Sequence, residues 1–191
     1  MYLKIPISAP GNHEHDLKRE RLMTLVVDAH MRAARHNAQN ASSAAFVNSW
    51  ANSRNIQAAI ASGILATGGA HAPVTVARFV YETFTEQAVQ EAIEQEVPIC
   101  GFGNSFFKGK LDPSWSHVVE ETQANWPKIA ERINTLEQWI RKYRPGRVPL
   151  LANAAMFTAA ACSECGLKHG VELTVLYASR IQSWLSMISD E

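Results

Sequence analysis

VPICGFGNSFFKGKLDPS, residues 97–114, is the segment from which the fold can be deduced. It holds three glycines and two prolines, a composition typical of a loop with tight turns. On both sides of it, apolar residues recur at helical spacing, and strict alternation of apolar and polar residues is nearly absent. The sequence therefore predicts an irregular loop set between two groups of helices.

Six helical segments or helix pairs surround this loop. The segment 40–66 indicates two alanine-rich helices with a break near Asn52–Asn55, and 72–95 indicates a pair with Thr85 as an N-cap. Pro127 suits the first turn of a helix. The predicted helical segments, separated by the loop above and by RPGRVP (144–149), are 15–35, 40–66, 72–95, 115–143, 152–165 and 171–188. They predict one compact, mostly helical unit.

Residues after Pro127 show the helical period most clearly. Apolar side chains follow one another at steps of four, three, four and three residues, which places them on one face of a helix. They are Ile129, Ile133, Leu136, Ile140 and Tyr143.

Composition and charge restrict the class of protein. The chain has 191 residues, 47% hydrophobic and 19% charged, which is typical of a folded protein. Its 18 basic and 18 acidic residues cancel, whereas binders of nucleic acid or anionic membranes are usually basic, so neither partner is expected. No apolar run is long enough to span a membrane. MYLKIPISAPG (1–11) lacks the apolar core of a signal peptide, and the three cysteines are an odd number, so we expect a cytoplasmic protein.

The loop itself offers groups that could bind a nucleotide. Gly101 and Gly103 would let a ligand approach the backbone closely. Three aromatic residues could stack on a base, and Lys108 and Lys110 could contact phosphates, although the GxxxxGK[ST] spacing of a phosphate loop is missing. The aromatic residues are Phe102, Phe106 and Phe107. A plain connection between helices is an equally good interpretation.

Two further residues are candidates for chemistry. His71, in GGAHAPV (68–74), lies where one helix stops and the next starts, and could donate a hydrogen bond to a developing oxyanion. The alternative is a loop histidine bonded to backbone. Arg180, in TVLYASRIQSW (174–184), lies among apolar and small residues, so it needs either a structural carboxylate partner or a bound carboxylate substrate.

Two clusters suggest metal ligands but fit simpler interpretations better. GNHEHD (11–16) lacks the HExxH spacing, and we expect a solvated N-terminal turn. Cys162 and Cys165 form one CxxC without a second, inside an alanine-rich helix, so we expect two buried thiols. No metal site is predicted.

Taken in order, five segments resemble the citrate synthase superfamily, which includes citrate synthases and citryl-CoA lyase domains. The resemblance covers about residues 25–188, and the spacing of 35 residues between His36 and His71 suits it. The segments are RHNAQNASSAAF (35–46), ASGILATGGAHAP (61–73), VPICGFGNSFFKGKLDPS (97–114), LLANAAMFTAAACSECGL (150–167) and TVLYASRIQSW (174–184).

The resemblance implies a fold and a function. It implies an all-α, citrate synthase-like helical domain at 25–191 after an extension at 1–24, and a tight or intertwined homodimer whose sites both subunits complete. It implies condensation of an acyl-CoA with a 2-oxo acid such as oxaloacetate, or citryl-CoA lyase chemistry. CoA or acyl-CoA and a dicarboxylate would be ligands, and no cofactor would be tightly bound.

It also implies roles for individual residues. His71 falls on the histidine that stabilises the enolate, and His36 falls near the histidine that binds oxaloacetate. Arg180 falls on an arginine that binds a carboxylate. The glycine-rich loop falls on the segment that contacts CoA; its candidate ligand-binding residues are Gly101, Phe102, Gly103 and Lys108.

Three positions depart from the family pattern. Asn104 stands where a catalytic histidine belongs; it could orient substrate but cannot transfer a proton near neutral pH. Ser114 replaces an arginine, and Ala155 replaces the aspartate that acts as general base. We therefore expect an activity that is reduced or lost. The alternative is a non-catalytic pseudoenzyme that keeps the fold as a dimeric structural, regulatory or partner-binding module.

Overall fold

The computed structural model describes residues 13–36, 41–71 and 74–189, without the side chains of His13, His15, His36 and 68–71. These residues form nine α-helices and one short 3-10 helix, Pro113–Trp115, and contain no β-strand. The predicted all-α fold is confirmed. The helices are α1 (His13–His36), α2 (Ala41–Ser53), α3 (Ile56–His71), α4 (Val74–Thr83), α5 (Glu86–Glu94), α6 (Ser116–Asn125), α7 (Pro127–Tyr143), α8 (Ala154–Glu164) and α9 (Val171–Ser189).

Helix boundaries follow local chemistry, as the sequence predicted. Thr85 is the N-cap of α5, and its hydroxyl oxygen accepts a 3.2 Å hydrogen bond from the amide of Ala88. Pro127 is the first residue of α7, where its missing N–H costs nothing. Four apolar residues of that helix are buried, and Tyr143 is half-buried.

One boundary was predicted wrongly. The described part of GNHEHD is helical, because α1 begins at His13 and its first turn carries Glu14 and Asp16. Acidic side chains there are favoured by the positive end of the helix dipole. Helix α1 then continues without a break to His36. It passes through residue 24, where the sequence analysis set the boundary between an N-terminal extension and the helical domain; that boundary stays a prediction.

The main core lies between α1, α4, α6, α7 and α8. Helix α8 is buried on nearly every side, because its small side chains let its neighbours approach closely. Met156 and Trp115 are fully buried in this core. No described helix is long and apolar enough to cross a membrane.

A second, smaller core joins the α2–α3 hairpin to α9. Phe46 stacks on Trp184 with ring centroids 5.4 Å apart. Gly63 lies directly against the same indole, where a Cβ atom would come within 2.6 Å of the ring. The hairpin therefore depends on a glycine at this helix crossing.

A buried ion pair fixes α4 to the start of α9. Arg78 donates to Glu172 at 2.5 Å, and both side chains are almost inaccessible to solvent. Arg78 also donates to Glu82 and to the backbone oxygen of Leu167, each at 2.8 Å, and Glu172 accepts from the amide of Gly170. The charges are thus well satisfied, as a buried pair requires.

The cysteine prediction is confirmed. Cys162 and Cys165 are buried and free. Burial raises the pKa of each thiol to about 12, which disfavours the thiolate that metal binding and redox chemistry need. Both side chains serve as core packing.

Candidate functional site

The glycine-rich loop is hydrogen-bonded to the segment that leads into α8. The amide of Gly103 donates to the backbone oxygen of Leu151 at 2.8 Å, and the amide of Asn153 donates to that of Gly101 at 2.9 Å. Phe102 and Ala152 face each other in an isolated antiparallel bridge between these bonds. The two segments that the sequence analysis singled out therefore form one unit.

Asn153 connects this unit to the helix. Its side-chain oxygen accepts from the amide of Ala155 at 2.9 Å, which makes Asn153 the N-cap of α8. Its side-chain nitrogen donates to the backbone oxygen of Gly103 at 2.8 Å. One amide thus sets both the helix start and the position of the loop.

The loop conformation requires glycine at two positions. Gly101 has a φ of +94°, and a Cβ atom there would lie 2.7 Å from the terminal methyl of Met156. Gly103 has a φ of +85°. Both values lie in the region that L-residues with side chains rarely adopt. Side chains of the protein, Met156 beside Gly101 and Leu150 beside Gly103, occupy the space that a Cβ atom would take, so these glycines permit close packing. A ligand contact at their backbone stays a prediction.

The aromatic residues of the loop divide into buried and exposed. Phe102 is only 8% exposed and belongs to the main core, so its ring cannot stack on a base, contrary to one possibility raised by the sequence. Phe106 is 65% exposed. Of these two rings, only that of Phe106 can meet a ligand.

Asn104 stabilises its own turn. Its side-chain oxygen accepts from the amide of Phe106 at 2.8 Å and more weakly from that of Phe107 at 3.3 Å. This Asx turn uses the acceptor and leaves the amide hydrogens as the part of the side chain that can donate to a substrate oxygen. Asn104 can orient a ligand but has no proton to transfer.

Basic side chains collect beside the loop. Lys108 and Lys110 are exposed, and Gly109 between them lies against Val148, whose methyl would be 2.9 Å from a Cβ at that glycine. Arg147 precedes Val148 in the chain. Packing of Gly109 on Val148 thus places the loop that carries the two lysines against the loop that carries Arg147.

Arg180 is the most unusual group near this unit. It is 4% exposed, and its Nε and Nη1 atoms have no hydrogen-bond partner among the described residues. Burial lowers the pKa of the guanidinium to about 10, and the charge of Asp112, at the end of the loop, opposes that change. A buried cation with two unsatisfied donors has the chemistry of an anion-binding site.

The two other substituted positions lie in the same region. Asp112 caps the 3-10 helix, because its carboxylate accepts a 2.9 Å hydrogen bond from the amide of Ser114. Ser114 is buried, and its side chain is a hydroxyl where the resemblance expects an arginine. Ala155 occupies the first turn of α8. No acidic residue lies between Leu150 and Ser163, so this helix start supplies no carboxylate base.

Two predicted site residues cannot be placed. His36 ends α1 and His71 ends α3, but their side chains lie outside the described part of the structure. The roles expected for them stay predictions.

Sequence reasoning missed three polar side chains of this region. One is Asn153, although an asparagine just before an alanine-rich helix is a recognisable cap signal. His30 is buried, and its Nε2 lies 2.7 Å from the hydroxyl of Thr158 in α8. Glu137 in α7 accepts from the amide of Ala152 at 2.7 Å, and burial raises the pKa of its carboxyl. Neither of these two has a local sequence signal.

Comparison with known proteins gives matches among solved structures alone. No protein-family model matches the chain, and no curated protein sequence does. The chain is similar to citryl-CoA lyase from Hydrogenobacter thermophilus, with a TM-score of 0.74 and 18% identity, over 91% of this chain and 69% of that one.

Two ATP citrate lyase structures are also similar. One is the enzyme from Methanothrix soehngenii in complex with citrate and coenzyme A, with a TM-score of 0.71 and 17% identity over 91% of this chain. The other is a mutant of the Methanosaeta concilii enzyme in complex with (3S)-citryl-CoA, with a TM-score of 0.65 and 19% identity over 90% of this chain. The chain spans 31% and 32% of these two proteins. Together the three matches show that this chain has a citrate synthase/citryl-CoA lyase-like fold.

Proposed function

We propose that the chain binds CoA or an acyl-CoA together with a dicarboxylate, in a site of the citrate synthase/citryl-CoA lyase type whose turnover is reduced or lost. The observation that carries the proposal is the buried guanidinium of Arg180, with two donors unsatisfied among the described residues, within electrostatic reach of Asp112 at the end of the glycine-rich loop. The ligands of the similar structures, citrate, coenzyme A and citryl-CoA, support it.

Each part of the site has a task suited to its chemistry. Arg180 would bind a carboxylate of the dicarboxylate through its free N–H groups. The backbone of Gly101, Phe102 and Gly103 would contact the CoA chain, and Lys108 would meet its phosphates. His36 would hold the dicarboxylate, and the amide of Asn104 would orient the reacting carbonyl.

The reaction needs two proton transfers that these residues do not supply. Condensation removes a proton from the methyl group of the acyl-CoA and delivers one to the oxaloacetate carbonyl. Cleavage of citryl-CoA runs these transfers in reverse. His71 would stabilise the enolate oxygen, but Ala155 offers no base and Asn104 no acid. Losing one such group commonly slows a reaction by about 10²–10⁴-fold.

The three substitutions also favour a second candidate function, a non-catalytic module that keeps the fold for assembly. Exposed apolar side chains on α3 and α4 support a homodimer, because Leu65 is 80% exposed, Phe79 56% and Val76 48%. For either function we propose an extension at 1–24, a citrate synthase-like domain at 25–191 and a cytoplasmic location.

Calorimetric titration with CoA, acetyl-CoA, citrate and oxaloacetate, singly and in pairs, tests ligand binding. Arg180→Gln should weaken citrate binding at least about tenfold, since a hydrogen bond to a charged group is worth about 1.5–3 kcal/mol. Lys128→Gln, which removes an exposed charge on α7, should leave it unchanged. No heat from any ligand with a folded protein of dimer mass would favour the non-catalytic module.

Turnover distinguishes reduced from lost activity. Asn104→His combined with Ala155→Asp returns an acid and a base to the positions that the resemblance assigns them. We expect citryl-CoA cleavage to rise at least about 10²-fold over the unmodified chain. An unchanged rate in a double variant that still binds CoA and citrate would contradict the placement of these residues.

A further inference from the structure

A cleft of about 170 Å³ lies between α6, α7 and the start of α8. Its wall is apolar and includes Ile133, Leu151 and Phe157. The volume is close to that of the ~150 Å³ cavity known to hold a benzene ring in another protein. The space therefore suits one ring or a short hydrocarbon chain.

The polar groups of this cleft offer mainly acceptors. Glu137 is the one charged residue of its described lining, which holds neither lysine nor arginine. Its Oε1 accepts from the amide of Ala152, and among the described residues no hydrogen bond reaches its other oxygen. The hydroxyl of the buried Thr122 donates to the backbone oxygen of Val119 at 2.9 Å. The lone pairs of the hydroxyl oxygen are therefore left to accept a hydrogen bond from a ligand.

We propose that this cleft binds a small primary ammonium compound with a hydrocarbon part of about six to eight carbons. An ammonium group brings three donors and no acceptor, which complements the carboxylate and hydroxyl oxygens. Its charge would pair with the carboxylate of the half-buried Glu137, which the charge of Arg141, one turn further along α7, also attracts. The amides of Gln123 and Asn134, both exposed, lie at the mouth.

The inference does not rest on the function proposed above. Acyl-CoA and dicarboxylates are anions, and the carboxylate of Glu137 repels them, so this cleft takes a different class of ligand. The cleft is nevertheless connected to the glycine-rich loop through Ala152, which donates a hydrogen bond to Glu137 and pairs with Phe102. The amide of Ala152 is therefore a direct reporter of binding.

A nitrogen–proton NMR titration of the full chain with benzylammonium at pH 7 tests the proposal, with benzyl alcohol as the uncharged probe of equal size. We expect the Ala152 amide resonance to shift saturably with benzylammonium, and benzyl alcohol to bind at least about tenfold more weakly. Equal affinity for the two probes, or no saturable shift, would overturn the proposal.

Variants locate the site. Glu137→Gln keeps an acceptor for Ala152 and should weaken benzylammonium binding at least about tenfold. Glu131→Gln, an exposed carboxylate on the same helix, should leave it unchanged. Ala130→Phe fills the cleft without touching the carboxylate and should also abolish binding. Wild-type affinity in either Glu137→Gln or Ala130→Phe would refute the assignment.

Discussion

The side chain of Asn153 bonds to the backbone oxygen of Gly103 at 2.8 Å while its own oxygen caps α8. The glycine-rich loop therefore moves only if the helix start moves or this bond breaks. The side-chain nitrogen of Asn153 holds the loop and its side-chain oxygen caps the helix, and two different substitutions distinguish these contributions.

Asn153→Asp keeps the capping oxygen but replaces the donor to Gly103 with an acceptor. We expect it to cost about 1 kcal/mol of unfolding free energy. Because the loop is then held less firmly, the bond that the Gly103 amide donates to Leu151 should open more often, which lowers the hydrogen-exchange protection of that amide. The Ala155 amide should stay protected, because an aspartate caps as well as an asparagine.

Asn153→Ala removes both bonds and serves as the comparison. Its expected cost is about 2 kcal/mol in urea unfolding, with loss of protection at both amides. If Asn153→Asp behaved like the wild type in both measurements, the loop would not depend on this bond.

Much of the helical architecture could be predicted from the sequence, because its signals are local. The apolar steps of α7 and the capping hydroxyl of Thr85 depend only on neighbouring residues. The burial of Phe102 and the unsatisfied donors of Arg180 depend on how distant segments pack, so the sequence left both open. Glu137 was missed for the same reason, since its partner lies 15 residues away.

The cysteines give a test of the core that uses pH. With a pKa of about 12, Cys162 and Cys165 carry a thiolate in only about one molecule in 10⁴ at pH 8. Iodoacetamide should therefore label Cys100 first, since it is partly exposed, although burial raises the pKa of that thiol as well.

The rate at which the folded chain is labelled should rise with pH, about tenfold per unit for thiols well below their pKa. Peptide mass spectrometry after timed labelling measures each site. Unfolding in urea is the control, and it should make all three cysteines react alike. Rapid labelling of Cys162 in the folded protein would show that the α8 core opens.

The ion pair between Arg78 and Glu172 should dominate the stability of the α4–α9 contact. Glu172→Gln removes the charge at constant size and leaves the buried guanidinium partly uncompensated, at an expected cost of about 3 kcal/mol. Glu164→Gln, on the exposed side of α8, should cost less than about 0.5 kcal/mol.

A double-mutant cycle with Arg78→Met isolates the pair in urea unfolding. Because Arg78 also contacts Glu82, the coupling to Glu172 should fall below the full cost of either single change. Additive effects would mean that the 2.5 Å contact contributes no net coupling.

We expect Arg180 to lower the free energy of unfolding of the unliganded protein and to be required for citrate binding. Its folded-state pKa of about 10 lies below the ordinary 12.5, so folding costs on the order of 3 kcal/mol at every pH below 10. Between pH 10 and 12.5 the unfolded chain binds more protons than the folded one, so stability rises with pH through that window. Arg180→Met removes the charge at similar length and should raise the melting temperature at pH 7 while abolishing citrate binding.

A purely structural arginine would behave in the opposite way. If Arg180 held the fold together, Arg180→Met would lower the melting temperature, whereas an unliganded anion site loses nothing but its desolvation cost. Calorimetric scans of both proteins with and without citrate measure the two effects together. Citrate should stabilise the wild type and leave Arg180→Met unchanged, because only a group that binds the ligand links its concentration to stability.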